Sequence, residues 1–264
     1  MKYKFGFIGC GNMGGALVRA TAKSFSSGDI IVFDKFQEKL NSFSDVAVIA
    51  SSLEEVIKNS KIIVIGVKPQ AYEDTFNEVK PFIQKESVIV SMAAGVSING
   101  VKNYLGFDFP IIRIMPNLPC QIGKGVVLYT ANSLVKDEDI KLFISAMSNA
   151  GVTDKIDEKD IDAASCISGC GPAFVYMYIN ALKKAGESLG LSPEKALLYS
   201  IKTVEGAAVN AETTGEDLEV LIQKVCSPGG TTIEGVNHFN DNGLYELVSD
   251  ALKCSYEKTL KLKK

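Results

Sequence analysis

Residues 5–16 read Phe5-Gly-Phe-Ile-Gly9-Cys-Gly11-Asn-Met-Gly14-Gly-Ala16. A short apolar run (Phe5, Phe7, Ile8) passes straight into three glycines at G-x-G-x-x-G spacing. A helical pattern follows at once, with Ala16, Leu17, Ala20 and Thr21 recurring at helical intervals. Each glycine has a physical reason. Gly9 allows a tight turn off a strand, Gly11 lets a pyrophosphate approach the backbone, and Gly14 lets the helix pack closely on a sheet. The free N–H groups and positive dipole end of that helix suit phosphate. An acid, Asp34, stands twenty residues beyond Gly14, after a second apolar run, Ile30-Ile-Val-Phe33. Strand, glycine turn, helix and distant acid together predict a dinucleotide-binding N-terminal half.

Further apolar runs at 46–49, 62–67, 87–92 and 110–115 alternate with helical patterns, and Ser52-Leu-Glu-Glu55 reads as a capping box. Continuous apolar strands between helices indicate a parallel sheet covered on both faces. Val126–Thr130 and Gly151–Ile156 flank a helical pattern over 137–150 and are expected to extend the sheet. From about Asp160 long helical patterns take over, at 160–186, 193–213, 216–226, 231–241 and 243–261. Gly171-Pro172 should break the first of these. The fold class is therefore α/β, with a doubly wound Rossmann-type domain over 1–158 and an all-α domain over 159–264. Residues 173–191 are apolar nearly all the way round the helix. Such a helix must be buried on every side, which predicts at least a dimer formed by the second domain.

The composition, 46% apolar and 22% charged over 264 residues, is that of a globular protein with a sizeable core. A net charge of −3 makes neither nucleic acid nor an anionic membrane an expected partner. No apolar run is long enough to span a membrane, and the chain opens directly on a strand, so a cytoplasmic protein is expected. The six cysteines form no C-x-x-C pair. Cys166 and Cys170, four apart, lack the companions of a metal site, and free buried thiols are the expectation.

Asp34 should accept hydrogen bonds from the adenosine ribose and favour NADH, while Lys35 and Lys39 beside it leave NADPH open. Arg19, further along the first helix, should point away. Gly66-Val67-Lys68-Pro69-Gln70, Met92-Ala93-Ala94-Gly95 and Arg113-Ile-Met-Pro-Asn117-Leu-Pro119 each end a predicted strand, so all three should converge on one crevice. Asn117, between two prolines, should be a rigidly presented amide. In the helical half, Ser227-Pro-Gly-Gly230-Thr231-Thr232 is a glycine-rich turn that opens a helix without any cation. It suits a small carboxylate held by backbone dipoles. The single histidine, His238, lies in a polar segment and is expected at the surface. Without a catalytic His, a reductase here would act on a substrate needing little proton help, such as a protonated imine.

These segments, in this order and over the whole chain, resemble pyrroline-5-carboxylate reductase. They are Gly6-Phe-Ile-Gly-x-Gly-Asn-Met-Gly14, Val67-Lys-Pro-Gln70, Ala93-Ala-Gly95, Arg113-x-Met-Pro-Asn117-x-Pro119, Gly169-x-Gly-Pro-Ala-Phe174 and Ser227-Pro-Gly-Gly-Thr-Thr-Ile233. The Ser-Pro-Gly-Gly-Thr-Thr segment is specific to that family; the glycine fingerprint is not. The resemblance implies NADPH- or NADH-dependent reduction of (S)-1-pyrroline-5-carboxylate to L-proline. It also implies a homodimer through the C-terminal helices, with dimers often gathered into a larger ring, a decamer of dimers. By the family pattern, Ile8, Gly9, Cys10, Gly11, Asn12 and Met13 hold the cofactor with Val67, Lys68 and Pro69. Ala93, Ala94, Gly95 and Asn117 lie near the nicotinamide. Ser227, Gly230, Thr231 and Thr232 take the substrate carboxylate, and the Thr232 hydroxyl faces the imine nitrogen. Cys170 departs from the Ser usual in the family. Two other readings of the same sequence remain: a hydroxy-acid dehydrogenase, with Lys183 or Lys184 as its base, and a non-catalytic dinucleotide sensor.

Overall fold

The computed structural model describes residues 1–262. Its first unit, Met1–Cys170 with the described residues from Ser255 on, is built on one eight-stranded sheet. The strands are β1 (Tyr3–Ile8), β2 (Ile30–Phe33), β3 (Val48–Ile49), β4 (Ser60–Ile65), β5 (Val88–Ser91), β6 (Ile111–Pro116), β7 (Gly125–Ala131) and β8 (Gly151–Lys155). They lie in the order β3-β2-β1-β4-β5-β6-β7-β8. β1 pairs parallel to both β2 and β4, the doubly wound arrangement in which the strand order reverses beside β1. Short crossover helices connect the parallel strands: α1 (Asn12–Ala22), α2 (Leu53–Asn59), α3 (Tyr72–Val79) and α4 (Ile98–Leu105).

The strands are apolar on both faces because both faces are covered. Phe5, Phe7, Val32, Ile62, Val64 and Val90 pack against α1 and α5 (Asp137–Met147), through Leu17, Val18 and Phe143. Their neighbours Ile31, Ile63, Ile65 and Ile89 pack on the other side against Val56, Ile57, Phe76 and Val101 of α2, α3 and α4. Side chains alternate across a strand, so one continuous apolar run fills two cores.

The expected extension of the sheet is present, with one reversal. β7 runs antiparallel to β6, and β8 runs parallel to β7. Only residues 117–124 join β6 to β7, and a parallel return would need a crossover of a dozen residues or more. The capping box of α2 is also half formed. The Ser52 hydroxyl accepts the Glu55 N–H at 3.2 Å, but the Glu55 carboxylate takes the N–H and hydroxyl of Ser51 instead. α6 (Ile161–Ser168) closes the first unit.

The second unit, Gly171–Cys254, is helical throughout: α7 (Gly171–Ser188), α8 (Pro193–Thr214), α9 (Leu218–Val225), α10 (Thr231–Asp241) and the first part of α11 (Leu244–Leu262). α7 begins at Gly171, where the Gly-Pro pair is expected to break the helical run. α7 and α8 pack side by side. Large apolar side chains stay exposed on this unit, among them Tyr176, Met177, Leu198 and Leu247, with Met177 at 70%. So many large apolar side chains left exposed on one unit fit an interaction face. Among the described residues no helix is long and apolar enough to cross a membrane.

Candidate functional site

The parallel strands end in register on one edge of the sheet. Ile8 pairs with Phe33 and with Ile65, Ile65 with Ser91, and Ser91 with Arg113. The segments that follow (Gly9–Met13, Asp34–Lys35, Val67–Pro69, Ala93–Gly95 and Asn117) therefore share that edge. It is where open α/β sheets bind ligands.

Gly9 has φ +92°, and a Cβ there would lie 2.7 Å from the Gly66 carbonyl carbon. The first and third glycines of the fingerprint are needed for contact, because a Cβ on Gly14 would run into the Gly9 carbonyl oxygen. Gly66, right after β4, completes the knot: its Cβ would lie 2.6 Å from the same oxygen. Gly11 differs, since a Cβ there meets nothing within 4 Å. It faces open space, and as N-cap of α1 it offers no side-chain acceptor to the first N–H groups of the helix. Open room in front of an uncapped helix N-terminus fits the pyrophosphate of a dinucleotide.

Asp34 is only 7% exposed and is drawn inward. Its Oδ2 accepts the Cys10 N–H at 2.8 Å and its Oδ1 the Phe36 N–H at 2.9 Å, with Lys39 Nζ at 3.8 Å. The acid thus holds the glycine turn to the end of β2, in addition to any bond to a ribose. Its charge, with burial as the larger cause, pushes the Cys10 thiol up to about 12. Lys35 is exposed.

Arg19 does not point away as expected. It stacks on the Phe43 ring at 4.9 Å, donates to the Ser42 carbonyl at 2.7 Å, and lines a cleft of about 490 Å³ with Cys10, Gly11, Asn12 and Lys39. The same Phe43 ring also fills the space beside Gly15. A second recess of about 460 Å³ lies beyond the end of β2, between Phe33, Ser52, Leu53 and Asn77.

Val67 is half-buried, and Lys68 and Pro69 are exposed, Pro69 opening a 3-10 turn. Ala93 and Gly95 are buried and Ala94 is exposed. Gly95, at φ +76°, has the last described turn of α11 against it, so that a Cβ would sit 2.8 Å from the Leu262 carbonyl oxygen. Tyr72, wholly buried, escapes the sequence reading. Its hydroxyl donates to the Ile65 carbonyl at 3.0 Å, accepts the Met92 N–H at 3.2 Å and lies 3.2 Å from Ser91 Oγ, tying the ends of β4 and β5 together. Burial pushes this phenol up to about 12. No spacing rule marks such a tyrosine; only its place just after Lys68-Pro-Gln70 could suggest it.

The end of β6 is bound to α6 twice. Arg113, 2% exposed, pairs with Asp162 at 2.5 Å and with Glu158 at 3.5 Å, and Glu158 in turn accepts the Ile98 N–H at the start of α4. Asn117 Nδ2 donates to the Ser168 carbonyl at 2.8 Å, while its Oδ1 accepts the Val126 N–H at 2.9 Å and the Cys120 thiol at 3.7 Å.

The second unit carries the other candidate residues. Ser227 to Gly230 form a turn in which Gly230 N–H donates to the Ser227 carbonyl at 3.0 Å and Gly229 has φ +68°. Gly230 is the N-cap of α10 and has no side chain to satisfy the helix. Ser227, Thr231 and Thr232 are exposed. A turn of small residues in front of an uncapped helix start is a backbone anion nest. His238 is exposed on α10. Lys183 is paired with Glu187 on its own helix at 2.8 Å.

A doubly wound sheet with a glycine turn at its reversal point, followed by a helical unit with a backbone anion nest, defines a two-part nicotinamide-dependent oxidoreductase. Residues 4–95 match the family model described as NADP oxidoreductase coenzyme F420-dependent. Residues 158–262 match the one described as pyrroline-5-carboxylate reductase dimerisation. The pyrroline-5-carboxylate reductase of Escherichia coli is 35% identical, with both chains covered in full. That of Aquifex aeolicus is 34% identical over 98% of this chain and 97% of its own. Among solved structures, the Plasmodium falciparum pyrroline carboxylate reductase with NADP bound superposes with a TM-score of 0.90 at 30% identity, over 99% of this chain and 98% of that one. The chain belongs to the pyrroline-5-carboxylate reductase family, and it carries that family's dimerisation domain.

Proposed function

We propose that this chain reduces (S)-1-pyrroline-5-carboxylate to L-proline with NADPH or NADH, the last step of proline biosynthesis. The observation that carries the proposal is full-length kinship to reductases of that name, together with an intact Ser227–Thr232 turn. When bound, the reduced nicotinamide supplies the hydride that the imine carbon accepts.

The chain's own residues bind and orient. In the Gly9–Met13 turn, after Ile8, the N–H groups of Gly9 and Cys10 are taken by the Phe33 carbonyl and Asp34, so those at the start of α1, from Asn12 and Met13, meet the pyrophosphate, and Asp34 and Lys35 flank the adenosine. Val67, Lys68 and Pro69, with Ala93, Ala94 and Gly95, line the nicotinamide side. Backbone N–H groups of Thr231 and Thr232, with the Ser227 hydroxyl, hold the substrate carboxylate, and Gly230, whose own N–H closes the turn onto the Ser227 carbonyl, leaves room for it. The Thr232 hydroxyl bonds the ring nitrogen, and holding a protonated imine in place leaves little further proton work. The dehydrogenase reading loses support, because the ammonium of Lys183 is occupied by Glu187.

We take the second domain to begin at 158/159, beside the start of the dimerisation match at residue 158, although the compact units part later, at Cys170/Gly171, and the exposed apolar helices of the second unit pair two copies of the chain. Such dimers gather into a ring, a decamer of dimers, in the cytoplasm. Thr232→Ala should lower turnover about ten- to hundredfold, the equivalent of about 1.5–3 kcal/mol for one bond to a charged group. The test follows nicotinamide oxidation with pyrroline-5-carboxylate, using NADH and NADPH in parallel. Full activity in the variant removes Thr232 from the mechanism, and no wild-type turnover with either cofactor removes the reductase reading.

A further inference from the structure

Asn117 directly follows β6 on the edge that gathers the cofactor segments, which would make it a nicotinamide ligand. Its hydrogen bonds point elsewhere. Both acceptor positions of Oδ1 are taken, by the Val126 N–H and the Cys120 thiol, and one of the two Nδ2 hydrogens is taken by the Ser168 carbonyl. The residue is 7% exposed, and a Cβ on Gly125 would lie 2.8 Å from Oδ1, so the amide sits in a closely packed knot.

Ser168 is the last residue of α6. Helix-end carbonyls have no partner within their own helix, and this one is capped by a side chain from another element. The next two N–H groups turn back past it, since those of Gly169 and Cys170 both donate to the Ser165 carbonyl. The other end of α6 is held to β6 by the Arg113–Asp162 ion pair. α6 is therefore pinned at both ends to one strand. Three residues beyond Ser168 the second unit begins at Gly171.

We propose that Asn117 is a positioning residue for the reduction. It fixes the end of α6 to the end of β6, on the sheet edge that gathers the cofactor segments. Hydride transfer tolerates very little misplacement of the nicotinamide, so loosening this β6–α6 junction should lower turnover while cofactor affinity stays intact. The inference rests on the reductase reading above.

The test is Asn117→Asp, nearly isosteric. It keeps an acceptor for the Val126 N–H but sets a carboxylate oxygen against the Ser168 carbonyl. Three readouts are compared with wild type. They are the Kd of NADPH and NADH from nicotinamide fluorescence, kcat and KM for pyrroline-5-carboxylate, and hydrogen exchange of peptides spanning 163–172. The expected result is a kcat at least tenfold lower, cofactor Kd within twofold, and faster exchange at 163–172 with that of 5–16 unchanged. A cofactor Kd raised tenfold or more would make Asn117 a ligand through its remaining amide hydrogen and overturn the proposal. So would unchanged turnover with faster exchange, because the junction would then not matter to the reaction. Where Asn117→Asp does not fold, Asn117→Ser is read by the same criteria, and a folded serine variant with wild-type kcat overturns the proposal. Absence of turnover in the wild-type enzyme is a failure of the reductase reading. The exchange and cofactor-binding results would still report whether Asn117 holds α6 without touching cofactor.

Discussion

Replacing Asp34 by serine separates two roles that one carboxylate combines. Buried and 2.8–2.9 Å from two backbone N–H groups, it makes two charge-assisted hydrogen bonds, of Cys10 and Phe36. Each such bond contributes about 1.5–3 kcal/mol, and a shorter hydroxyl or water recovers part, so a net loss of about 3 kcal/mol is reasonable. For a chain of this size that lowers Tm by roughly 6–12 °C. The second role is repulsion. A carboxylate about 6 Å from a 2′-phosphate opposes it by about 1.5–3 kcal/mol at an effective dielectric of about 40–80. Lys39, 3.8 Å from the same oxygen, offsets some of this, which favours the lower end, about a tenfold rise in the NADPH to NADH preference. The assay measures both dissociation constants by nicotinamide fluorescence, both kcat/KM values, and a thermal melt. A lowered Tm with an unchanged cofactor ratio would make Asp34 a staple of the glycine turn that never meets the ribose. A changed ratio with an unchanged Tm would refute the hydrogen-bond argument.

Two further predictions concern buried charge and buried thiol. Arg113→Ala leaves the Asp162 carboxylate buried beside a cavity and should cost about 3–5 kcal/mol in urea unfolding, whereas Arg113→Met combined with Asp162→Leu should regain more than half of that loss. Strict additivity of the single substitutions would show that the pair is not coupled. Cys10 should resist iodoacetamide at pH 8 in the native protein, because burial and the Asp34 charge hold its thiol near 12. Mass-spectrometric labelling at the rate of a free thiol would refute this. The same shift sets an alkaline limit on stability. The folded pKa values of Cys10 and Tyr72 lie above the ordinary 9.0 and 10.0, so their contribution is complete below about pH 9 and is lost as pH rises toward 12.

Much of the frame is legible from the sequence because its demands are local. Gly9 must reach φ +92°, and a run such as Ile62-Ile-Val-Ile65 with helices on both sides can only be an inner strand. Gly171-Pro172 breaks a helical run wherever it stands. What stays hidden depends on pairs distant in sequence. Asn117 reads as a presented amide until Val126 and Ser168 are seen to claim it. Tyr72 is one aromatic among nine tyrosines until its hydroxyl meets the ends of β4 and β5. The antiparallel β7 follows from a short loop whose length is visible but whose exit direction is set by packing.

The two arginines show how the fold disposes of scarce chemistry. Arginine is the natural clamp for a carboxylate, since its planar fork gives two charged bonds at once. Here neither guanidinium is placed for that work. Arg19 lies against Phe43 and the Ser42 carbonyl, and Arg113 is buried between β6 and α6 in an ion pair that holds the sheet to the helix before the second unit. A small anionic substrate must then be met by backbone N–H groups. The Ser227–Thr232 turn supplies them at a helix start that no side chain caps. A neutral nest binds a carboxylate without introducing a cation beside the imine, whose own positive charge makes its carbon a hydride acceptor. An arginine in that turn would hold the carboxylate more tightly but would disfavour the protonated imine by like-charge repulsion. Substituting Thr231 by arginine should therefore lower kcat even where it lowers KM, and the reverse, an arginine that raises kcat, would count against a cation-free site.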